Sequence, residues 1–371
     1  MRRHAQSPSL GMIADEAGVS RAAVSMALRN HPRIPESTRL RIQKIARKLG
    51  WKPNPLLAEA MSAIRAGQPS ADRVTLAWIS TDDTRDGWRH SHFNLRCFAG
   101  AQQRAENAGY RLDQFWLGDA DGNATRLSEI LYTRGIAGII VGPFHDRGRI
   151  AMQWDRFAAA TFAHTLLSPQ LHRATDNQFA SARVSVARLH AVGCRRIGLA
   201  LAARLDHRVA DQWTAGYLLE TFEEGLAHPK LLHRPPDLDE AEFIRWFKRA
   251  KPDAIVGTDK RIIEWLATAG IRVPDDVAFA GLDLADDSGE VAGIFQDASA
   301  IGASVIDLVA GQLLRHERGL PEVPRTVVID GRWVDGATLP ATKPDPEWVE
   351  KSAMLLATGG TAAANLPALY D

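Results

Sequence analysis

The chain has 371 residues, of which 45% are hydrophobic and 24% charged, a composition typical of a globular protein with two or three domains. No segment is long and apolar enough to span a bilayer, and the first residues contain no apolar run typical of an export signal, so neither a membrane nor a secreted protein is expected. Cys97 and Cys194 are the only cysteines, which excludes a disulfide framework and a cysteine-rich zinc site and favours a reducing cytoplasm.

Charge is distributed unevenly along the chain. Residues 1–67 contain 12 Lys+Arg and 4 Asp+Glu, a net charge of +8, whereas the remainder contains 33 and 40, a net charge of −7. A basic segment joined to an acidic body is typical of a protein that binds a polyanion, because neutralising phosphates releases counterions.

Two short helices joined by a tight turn are predicted at residues 10–17 and 21–28. Gly18 can take the positive φ that the turn needs, and Ser20 is the N-cap candidate of the second helix. The apolar positions lie on one face of each helix: Ile13, Ala14 and Ala17, then Val24 and Leu28.

A third helix is predicted to open at Pro35 and Ser37 and to end at Gly50. Its apolar stripe consists of Thr38, Ile42, Ile45 and Leu49. Its basic side chains lie largely off that stripe: Arg41, Lys44, Arg47 and Lys48. A generic three-helix bundle would satisfy this pattern by itself.

The run AGVSRAAVSMAL, followed by ESTRLRIQKIARKLGWKPNP, resembles the DNA-binding headpiece of the lactose/galactose repressor family. The resemblance implies that the second helix enters the major groove of a palindromic double-stranded operator, with the protein bound as a homodimer. The residues that it places against DNA are Ser20, Arg21, Ala22, Ser25, Met26, Arg29, Arg33, Thr38 and Arg39.

These residues divide into those that read bases and those that position the helix. Arg21, at the helix N-terminus, is the best candidate for a bidentate contact with guanine, whereas Ala22 and Met26 offer apolar surface to a thymine methyl. Family members commonly have arginine at Met26 and asparagine at Arg29, so the usual operator sequence is not expected. Arg29 either compensates for this departure or is a solvated surface residue.

Residues 52–70 are predicted to form a hinge helix and linker. The resemblance implies that such a segment folds on DNA and inserts an apolar side chain into the minor groove. Asn54 precedes the helix, Ala60 occupies the position of the usual wedge leucine, and its neighbour Met61 is the expected wedge. A plain linker helix is the alternative.

Strands and helices alternate in the body. The predicted strand segments are VTLAWIS, RLDQFWLG, GIAGIIVGPF, RIGLALA, DAIVGT and VAFAGLD. This alternation predicts two doubly wound parallel sheets in tandem, with a ligand cleft at the carboxyl ends of their strands.

The body also resembles the same family, through RGIAGIIVGP, TDN, HAVGCRRIG, TAGY, IRVPDDVAFAGLD and FQD. The expected fold is therefore α/β, with an all-α helix-turn-helix headpiece and a periplasmic-binding-protein-like body of two parallel-sheet subdomains. The predicted domains are a DNA-binding headpiece at 1–51, a hinge at 52–70, a two-lobed effector-binding and dimerisation domain at 71–340, and a tail at 341–371. The tail is expected to be loosely attached, with SAMLLA as a short docking helix.

The resemblance implies effector-facing roles for Trp213, Thr258, Asp259, Asp283 and Gln296. Four of them have a structural alternative: core packing for the tryptophan and the glutamine, and helix capping or a solvated loop for the two aspartates. Asparagine is the commoner residue in the family at Thr258. Trp213 stands where most sugar-responsive relatives carry arginine, and a ring there would stack on a sugar face. Further lining is expected from Ser80, Asp82, Phe93 and Phe144, with Trp88 and His145 beside them.

The sequence thus predicts a cytoplasmic repressor of carbohydrate-related genes that responds to a small sugar-like effector. The alternatives are a DNA-binding protein whose body is only a dimerisation platform, and a small-molecule binding protein without a regulatory role. His90 and His92 with Asp82, Asp83 and Asp86 form only a loose pattern for a metal site. Neither a cofactor nor enzymatic activity is expected, because no catalytic motif is present.

Overall fold

A computed structural model of the chain describes residues 10–28, 34–49 and 74–356. The described residues form two compact units. Unit 1 lies within Met1–Phe162, Leu166–Arg173 and Gly302–Thr326, and unit 2 lies within Ala163–Thr165, Ala174–Ile301 and Val327–Asp371.

Helices and strands alternate through most of both units. The α-helices of the described residues are α1 (Leu10–Ala17), α2 (Arg21–Leu28), α3 (Glu36–Lys48), α4 (His92–Asn107), α5 (Ala124–Thr133), α6 (Gln178–Ala191), α7 (Ala203–Arg208), α8 (Gln212–Glu223), α9 (Glu240–Ala250), α10 (Arg261–Thr268), α11 (Ala298–Leu314) and α12 (Pro346–Leu356). The strands are β1 (Val74–Ser80), β2 (Tyr110–Trp116), β3 (Gly138–Val141), β4 (Gly148–Arg149), β5 (Ala158–Phe162), β6 (Leu166–Ser168), β7 (His172–Asp176), β8 (Ile197–Ala200), β9 (Leu232–His233), β10 (Ala254–Gly257), β11 (Ala278–Gly281), β12 (Ala292–Phe295), β13 (Thr326–Ile329) and β14 (Arg332–Val334). None of the described helices has the length and apolarity needed to cross a bilayer.

The first three helices pack around a small apolar core, as the sequence predicts. Ile13, Val24 and Ile42, one from each helix, are fully buried in this core. Gly18 has a φ of +64°, and the Ser20 hydroxyl accepts a hydrogen bond from the Ala23 amide at 3.1 Å. The turn and the N-cap therefore fix the angle between α1 and α2 through local chemistry.

The first sheet has the strand order β2-β1-β3-β5-β7-β13. β1 pairs in parallel with both β2 and β3, and its residues 76–80 are buried, as is usual for an interior strand of a parallel sheet. Gly138 allows the sheet to approach α11, because a Cβ there would lie 2.7 Å from a Val309 methyl. The chain passes from unit 1 into unit 2 within β7 and within β13.

The second sheet has the order β9-β8-β10-β11-β12-β14, parallel except that β14 runs antiparallel to β12. Successive residues of β10 face opposite sides: Val256 packs with α6 and α8, and Ile255 packs with α9 and α10. Helices thus cover both faces, and the carboxyl ends of the parallel strands open at one edge. Gly293 brings β12 close to β11, because a Cβ there would lie 2.1 Å from the Gly281 carbonyl oxygen.

The expectation of a loosely attached tail is wrong for residues 346–356, which form α12 and pack against α6. The Trp348 ring meets the His190 ring edge-on at 3.9 Å, and Lys351 Nζ lies 2.5 Å from Glu220 Oε1 on α8. The expected docking segment, SAMLLA, contributes its residues 352–356 to this helix, and its last alanine lies outside the described residues. The prolines and glycines that flank α12 led to the expectation of a loose tail, because local sequence does not indicate such long-range contacts.

Candidate functional site

The predicted recognition surface is present on α2. Ser20, Arg21 and Ala22 are exposed, whereas Ser25 and Met26 are half-buried. The Arg21 guanidinium lies beside α1, because a Cβ on Gly11 would be 2.9 Å from its Nη2 atom. The second helix of the head therefore presents a short polar and cationic face.

The neighbouring helix α3 adds positive charge to the head. Thr38 and Arg39 are half-buried, and Arg39 Nη2 lies 3.7 Å from Glu36 Oε1. The basic residues predicted to lie off the apolar stripe are exposed: Arg41, Lys44, Arg47 and Lys48. The other predicted DNA contacts lie outside the described residues: Arg29, Arg33, Asn54, Ala60 and Met61.

The sheet of unit 2 brings several polar side chains to the carboxyl ends of its strands. Gln296 follows β12 and is 2% exposed, and its Nε2 donates to the Leu282 carbonyl at 3.3 Å. Asp283 follows β11 and is exposed. Asp176, the last residue of β7, is 2% exposed and lies close enough to both side chains for them to shift its pKa. Two of the predicted effector residues, Asp283 and Gln296, thus meet at one place around Asp176.

Asp176 is the central group of this cluster. Its Oδ1 atom accepts a hydrogen bond from Gln178 Nε2 at 2.6 Å, and the Thr175 and Gln296 side chains lie close enough to donate hydrogen bonds to the same carboxyl. Burial, together with the charge of Asp283, raises the pKa of the Asp176 carboxyl to about 7, against the opposing effects of its own backbone amide, Thr175 and Gln296. The sequence analysis did not assign Asp176 to the site, and the signal that could have found it is the polar Thr-Asp pair at the end of a strand.

The raised pKa of Asp176 predicts a pH-dependent stability. Because the folded protein binds this proton more tightly than the unfolded chain, the stabilisation is complete below the unfolded pKa near 3.8 and is lost as pH rises through about 7. When the pH is raised from 5.5 to 8, the free energy of unfolding of the unsubstituted chain should fall by about 2 kcal/mol more than that of Asp176→Asn. Denaturant unfolding followed by tryptophan fluorescence at both pH values measures this difference. The control is Asp237→Asn, an exposed carboxylate of the same unit, and equal pH slopes for Asp176→Asn and the parent would contradict the prediction.

Thr258 and Asp259 follow β10 at the same edge. Asp259 Oδ1 accepts the Arg261 amide at 3.0 Å, and its Oδ2 lies 2.6 Å from Arg261 Nη2. Its carboxylate thus binds the amide and the guanidinium of Arg261, the first residue of α10, whereas Lys260 occupies the N-cap position itself. The Thr258 Oγ1 is buried and has no hydrogen-bond partner within the described ranges.

Trp213 lies near the N-terminus of α8 and is 6% exposed. Its ring packs in the core cluster with Tyr217, Leu199 and Leu282, which is the packing alternative given above. Its Nε1 is buried without a hydrogen-bond partner among the residues described. The indole N–H therefore remains available as a donor.

The remaining predicted effector residues belong to unit 1. The Ser80 hydroxyl is buried and donates its proton to the Phe115 carbonyl at 3.4 Å, so its donor is already engaged by the backbone. The Asp82 carbonyl accepts a hydrogen bond from Trp116 Nε1 at 2.8 Å. Phe93 lies 6.4 Å from Phe162 between ring centroids. Phe144 packs at the edge of the cluster that covers β1 and β3.

A buried ion network at the end of β8 was not found from the sequence. Asp206 is fully buried and contacts Arg234 Nε at 2.9 Å and Thr214 Oγ1 at 2.5 Å, and Arg234 also pairs with Asp211. Asp206 lies in α7 and Arg234 follows β9, 28 residues later in the sequence, so no local pattern links them. For the loose histidine and aspartate pattern near residue 90, the described residues contain no group of three ligands that could hold a metal ion.

Comparison with known proteins identifies both parts of the chain. Residues 9–54 match the bacterial regulatory proteins of the lacI family, and residues 186–339 match a periplasmic binding protein-like domain. The NTD biosynthesis operon regulator NtdR of Bacillus subtilis is 24% identical over 292 residues, which cover 74% of this chain and 82% of that protein.

Solved structures agree on the fold. A transcriptional regulator CelR-cellobiose complex matches with a TM-score of 0.56 at 18% identity, covering 89% of this chain and 99% of that one. The lac repressor dimer bound to operator and the anti-inducer ONPF matches with a TM-score of 0.54 at 18% identity, covering 90% of this chain and 100% of that one.

The helical head matches a DNA-binding family and the parallel-sheet body matches a ligand-binding domain. Together they define a DNA-binding transcriptional regulator with an effector-binding domain of the periplasmic-binding-protein type. Its head is that of the lacI family of bacterial regulatory proteins, which matches residues 9–54, and its body is of the periplasmic binding protein-like type. The resemblance stated from the sequence, the expected fold and the expectation that the chain is not an enzyme are thereby confirmed, since this family consists of regulators.

Proposed function

We propose that this chain is a cytoplasmic repressor of carbohydrate-related genes, which binds a palindromic operator as a homodimer and responds to a small sugar-like effector. The observation that carries the proposal is the capped α2, whose exposed Ser20, Arg21 and Ala22 form a face suited to a major groove. The net charge of +8 over residues 1–67 supports it, because such a charge attracts the phosphate backbone.

The effector is proposed to bind at the carboxyl edge of the unit 2 sheet, where Asp283 and Gln296 meet Asp176. Side chains that both donate and accept hydrogen bonds, placed beside carboxylates, suit a hydroxylated ligand. The domain boundaries given above, with a hinge at 52–70 that includes Asn54, Ala60 and Met61, complete this proposal. Binding at the two sites is coupled reciprocally, since a ligand that changes operator affinity must have its own affinity changed by the operator.

A body that serves only as a dimerisation platform is the second candidate. The burial of Trp213 in the core and the use of Asp259 by Arg261 favour it, because both leave less of the predicted effector set exposed. Calorimetry with a panel of sugars and polyols distinguishes the two candidates: binding by any of them excludes the platform, whereas no heat from the whole panel favours it.

Selection of bound fragments from genomic DNA tests the proposed function and supplies an operator. The expected result is enrichment of fragments with an inverted repeat, retained against random competitor DNA at moderate salt. A protein that retains no fragment above the competitor would contradict the proposal.

Replacing Arg21 should weaken binding to the selected operator and relax its sequence preference. We expect Arg21→Ala to lose a factor of about ten to a hundred, or about 1–3 kcal/mol, because a bidentate contact with a guanine is removed. In contrast, Arg39→Ala should weaken binding to all sequences and lower the salt slope by about 1, as loss of a phosphate contact does. Fluorescence anisotropy on the operator and on a scrambled duplex measures both effects. Arg126→Ala, which replaces an exposed arginine of the body, is the control and should leave the affinity for both duplexes unchanged.

A further inference from the structure

Helix α8 carries an apolar stripe on its outward face. The opposite face, which includes Trp213 and Tyr217, is buried against α6 and the second sheet. The stripe consists of four exposed apolar residues at the helical spacing i, i+3, i+4 and i+7: Ala215, Leu218, Leu219 and Phe222. Phe222 is 75% exposed. Because a helix that is apolar on both faces is usually covered on both, the stripe is expected to have an occupant.

The charged side chains that flank the stripe already have partners. Glu223 pairs with Arg183 on α6, and Glu224 pairs with Lys351 on α12. The feature that an occupant would recognise is therefore the apolar surface itself.

Helix α12 brings the chain to this side of the unit. It begins beside the end of α6, where the Trp348 ring meets the His190 ring. Its next turn reaches α8, where Lys351 pairs with Glu220. The same glutamate pairs with Arg183, seven residues before His190 on α6, so α12 runs antiparallel to α6.

The end of α12 lies level with the stripe. Helices α6 and α8 run in the same direction, since Gly216 approaches Phe179 and the ion pair of Glu220 follows one turn later on both helices. Because α12 runs the opposite way, Leu356 lies about 8 Å beyond Lys351 toward the N-terminus of α8, at 1.5 Å per residue. The chain thus leaves α12 level with the middle of the stripe.

The sequence beyond Leu356 has the composition of an occupant for this stripe. Residues 357–371 lie outside the described residues, and no charged residue occurs between Lys351 and Asp371. Apolar side chains recur there at i, i+3 and i+4: Leu366, Leu369 and Tyr370. The ten residues from Leu356 to Leu366 can span up to about 33 Å, whereas the 12 residues of α8 extend over about 18 Å. The segment can therefore reach any part of the stripe.

A second copy of the chain is a less suitable occupant of the stripe. Four side chains on one helix offer an apolar area on the order of 300 Å². A specific interface between two proteins buries about 800 Å² on each partner. A segment of the same chain needs less area, because its effective concentration is high.

We propose that residues 366–370 dock on the outward face of α8 and cover Leu218, Leu219 and Phe222. The C-terminal segment then holds α8 from the side opposite its core. The N-terminal part of that helix carries Trp213, one of the predicted effector residues, so the segment braces an element of the proposed effector edge.

Disulfide trapping in the full-length chain tests this contact. Phe222→Cys is combined in turn with one of three cysteine substitutions in the segment: Leu366→Cys, Leu369→Cys or Tyr370→Cys. Under copper–phenanthroline, we expect at least one pair to form an intrachain disulfide at least fivefold faster than the same segment cysteine does with Arg245→Cys. Arg245 is an exposed position on α9, which covers the other face of the sheet. The native Cys97 and Cys194 are buried, so they do not compete.

Exposure of the stripe provides a second measurement. A variant with three serine substitutions in the segment should bind the dye ANS with at least twofold higher fluorescence than the unsubstituted chain, because the stripe is uncovered: Leu366→Ser, Leu369→Ser and Tyr370→Ser. Adding Phe222→Ser should reverse most of that increase. Adding Val323→Ser, at an apolar residue of unit 1 that is 74% exposed, should retain the increase.

The outcomes distinguish the occupants. Equal rates of trapping with Phe222→Cys and Arg245→Cys overturn the proposal, and so does unchanged ANS fluorescence in the triple serine variant. Rapid formation of disulfide-linked dimers by Phe222→Cys alone assigns the stripe to a second copy and also overturns it. Intrachain trapping specific to Phe222→Cys, together with ANS fluorescence that depends on Phe222, supports docking of the segment.

Discussion

Gly302→Ala is expected to destabilise unit 1 by about 3 kcal/mol or more, at the upper end of the usual range for overpacking. A Cβ at position 302 on α11 would lie 1.9 Å from the Cys97 carbonyl oxygen and 3.0 Å from the Ala101 amide nitrogen, both on α4. These are backbone atoms inside a helix, so no side-chain rotation can relieve the overlap. The two helices would have to separate, and their close packing would be lost.

The same helix provides a matched control for this substitution. At Gly311 an added Cβ would meet the flexible end of the Arg315 side chain at 3.0 Å, which can move away. Gly311→Ala should therefore stabilise the chain by about 0.5–1 kcal/mol, since alanine has the better helix propensity. Denaturant unfolding of both variants gives the signs. A Gly302→Ala variant as stable as Gly311→Ala would show that α4 and α11 are not in contact at this point.

The head was predictable because its determinants are local. The bounds 10–17 and 21–28 follow from Gly18 and from the Ser20 cap, and the structure has both. Strand β1 also matches its predicted segment, because the apolar run from Leu76 to Ile79 suits a strand buried on both faces.

Elements that depend on distant pairing were not predictable in this way. Strand β5, AAATF, consists mainly of alanines and has no period of its own, and its pairing with β3 defines it. The passages between the two units within β7 and β13 join segments that are about 150 residues apart in sequence. A single sequence contains no local signal for such neighbours.

The candidate effector residues illustrate the same limit. Strand ends are readable, so Asp283 and Gln296 were correctly expected at the end of their strands, and the structure brings them together around Asp176. In contrast, the burial of a side chain and its hydrogen-bond partners cannot be predicted from the local sequence. The sequence left packing and stacking open for Trp213, and only the surrounding cluster shows that its ring packs in the core. Asp176 acquires its properties from burial and from Asp283, both of which are tertiary features.

Glu220 on α8 joins three helices through one buried carboxylate. The residue is fully buried, and it lies 2.7 Å from Arg183 Nε on α6 and 2.5 Å from Lys351 Nζ on α12. The side chains of Arg183 and Lys351 are 19% and 30% exposed, so both cations remain in contact with solvent. Helix α12 lies beyond residues 186–339, which match the periplasmic binding protein-like domain, and this carboxylate is one of its attachments.

Glu220→Gln is expected to destabilise unit 2 by about 3 kcal/mol, because it removes the one fully buried carboxylate that both cations share. Arg183 then keeps only Glu223, and Lys351 keeps only Glu224. The value is placed at the low end of the range for such pairs since water can reach both cations. Glu223→Gln is the matched control: it contacts the same arginine at 2.8 Å from the same helix, but its side chain is 45% exposed, so its loss should be below about 1 kcal/mol. Denaturant unfolding measures both variants, and hydrogen exchange should show faster exchange in α12 for Glu220→Gln alone. Equal and small effects of the two substitutions would mean that the buried carboxylate does not hold α12 in place.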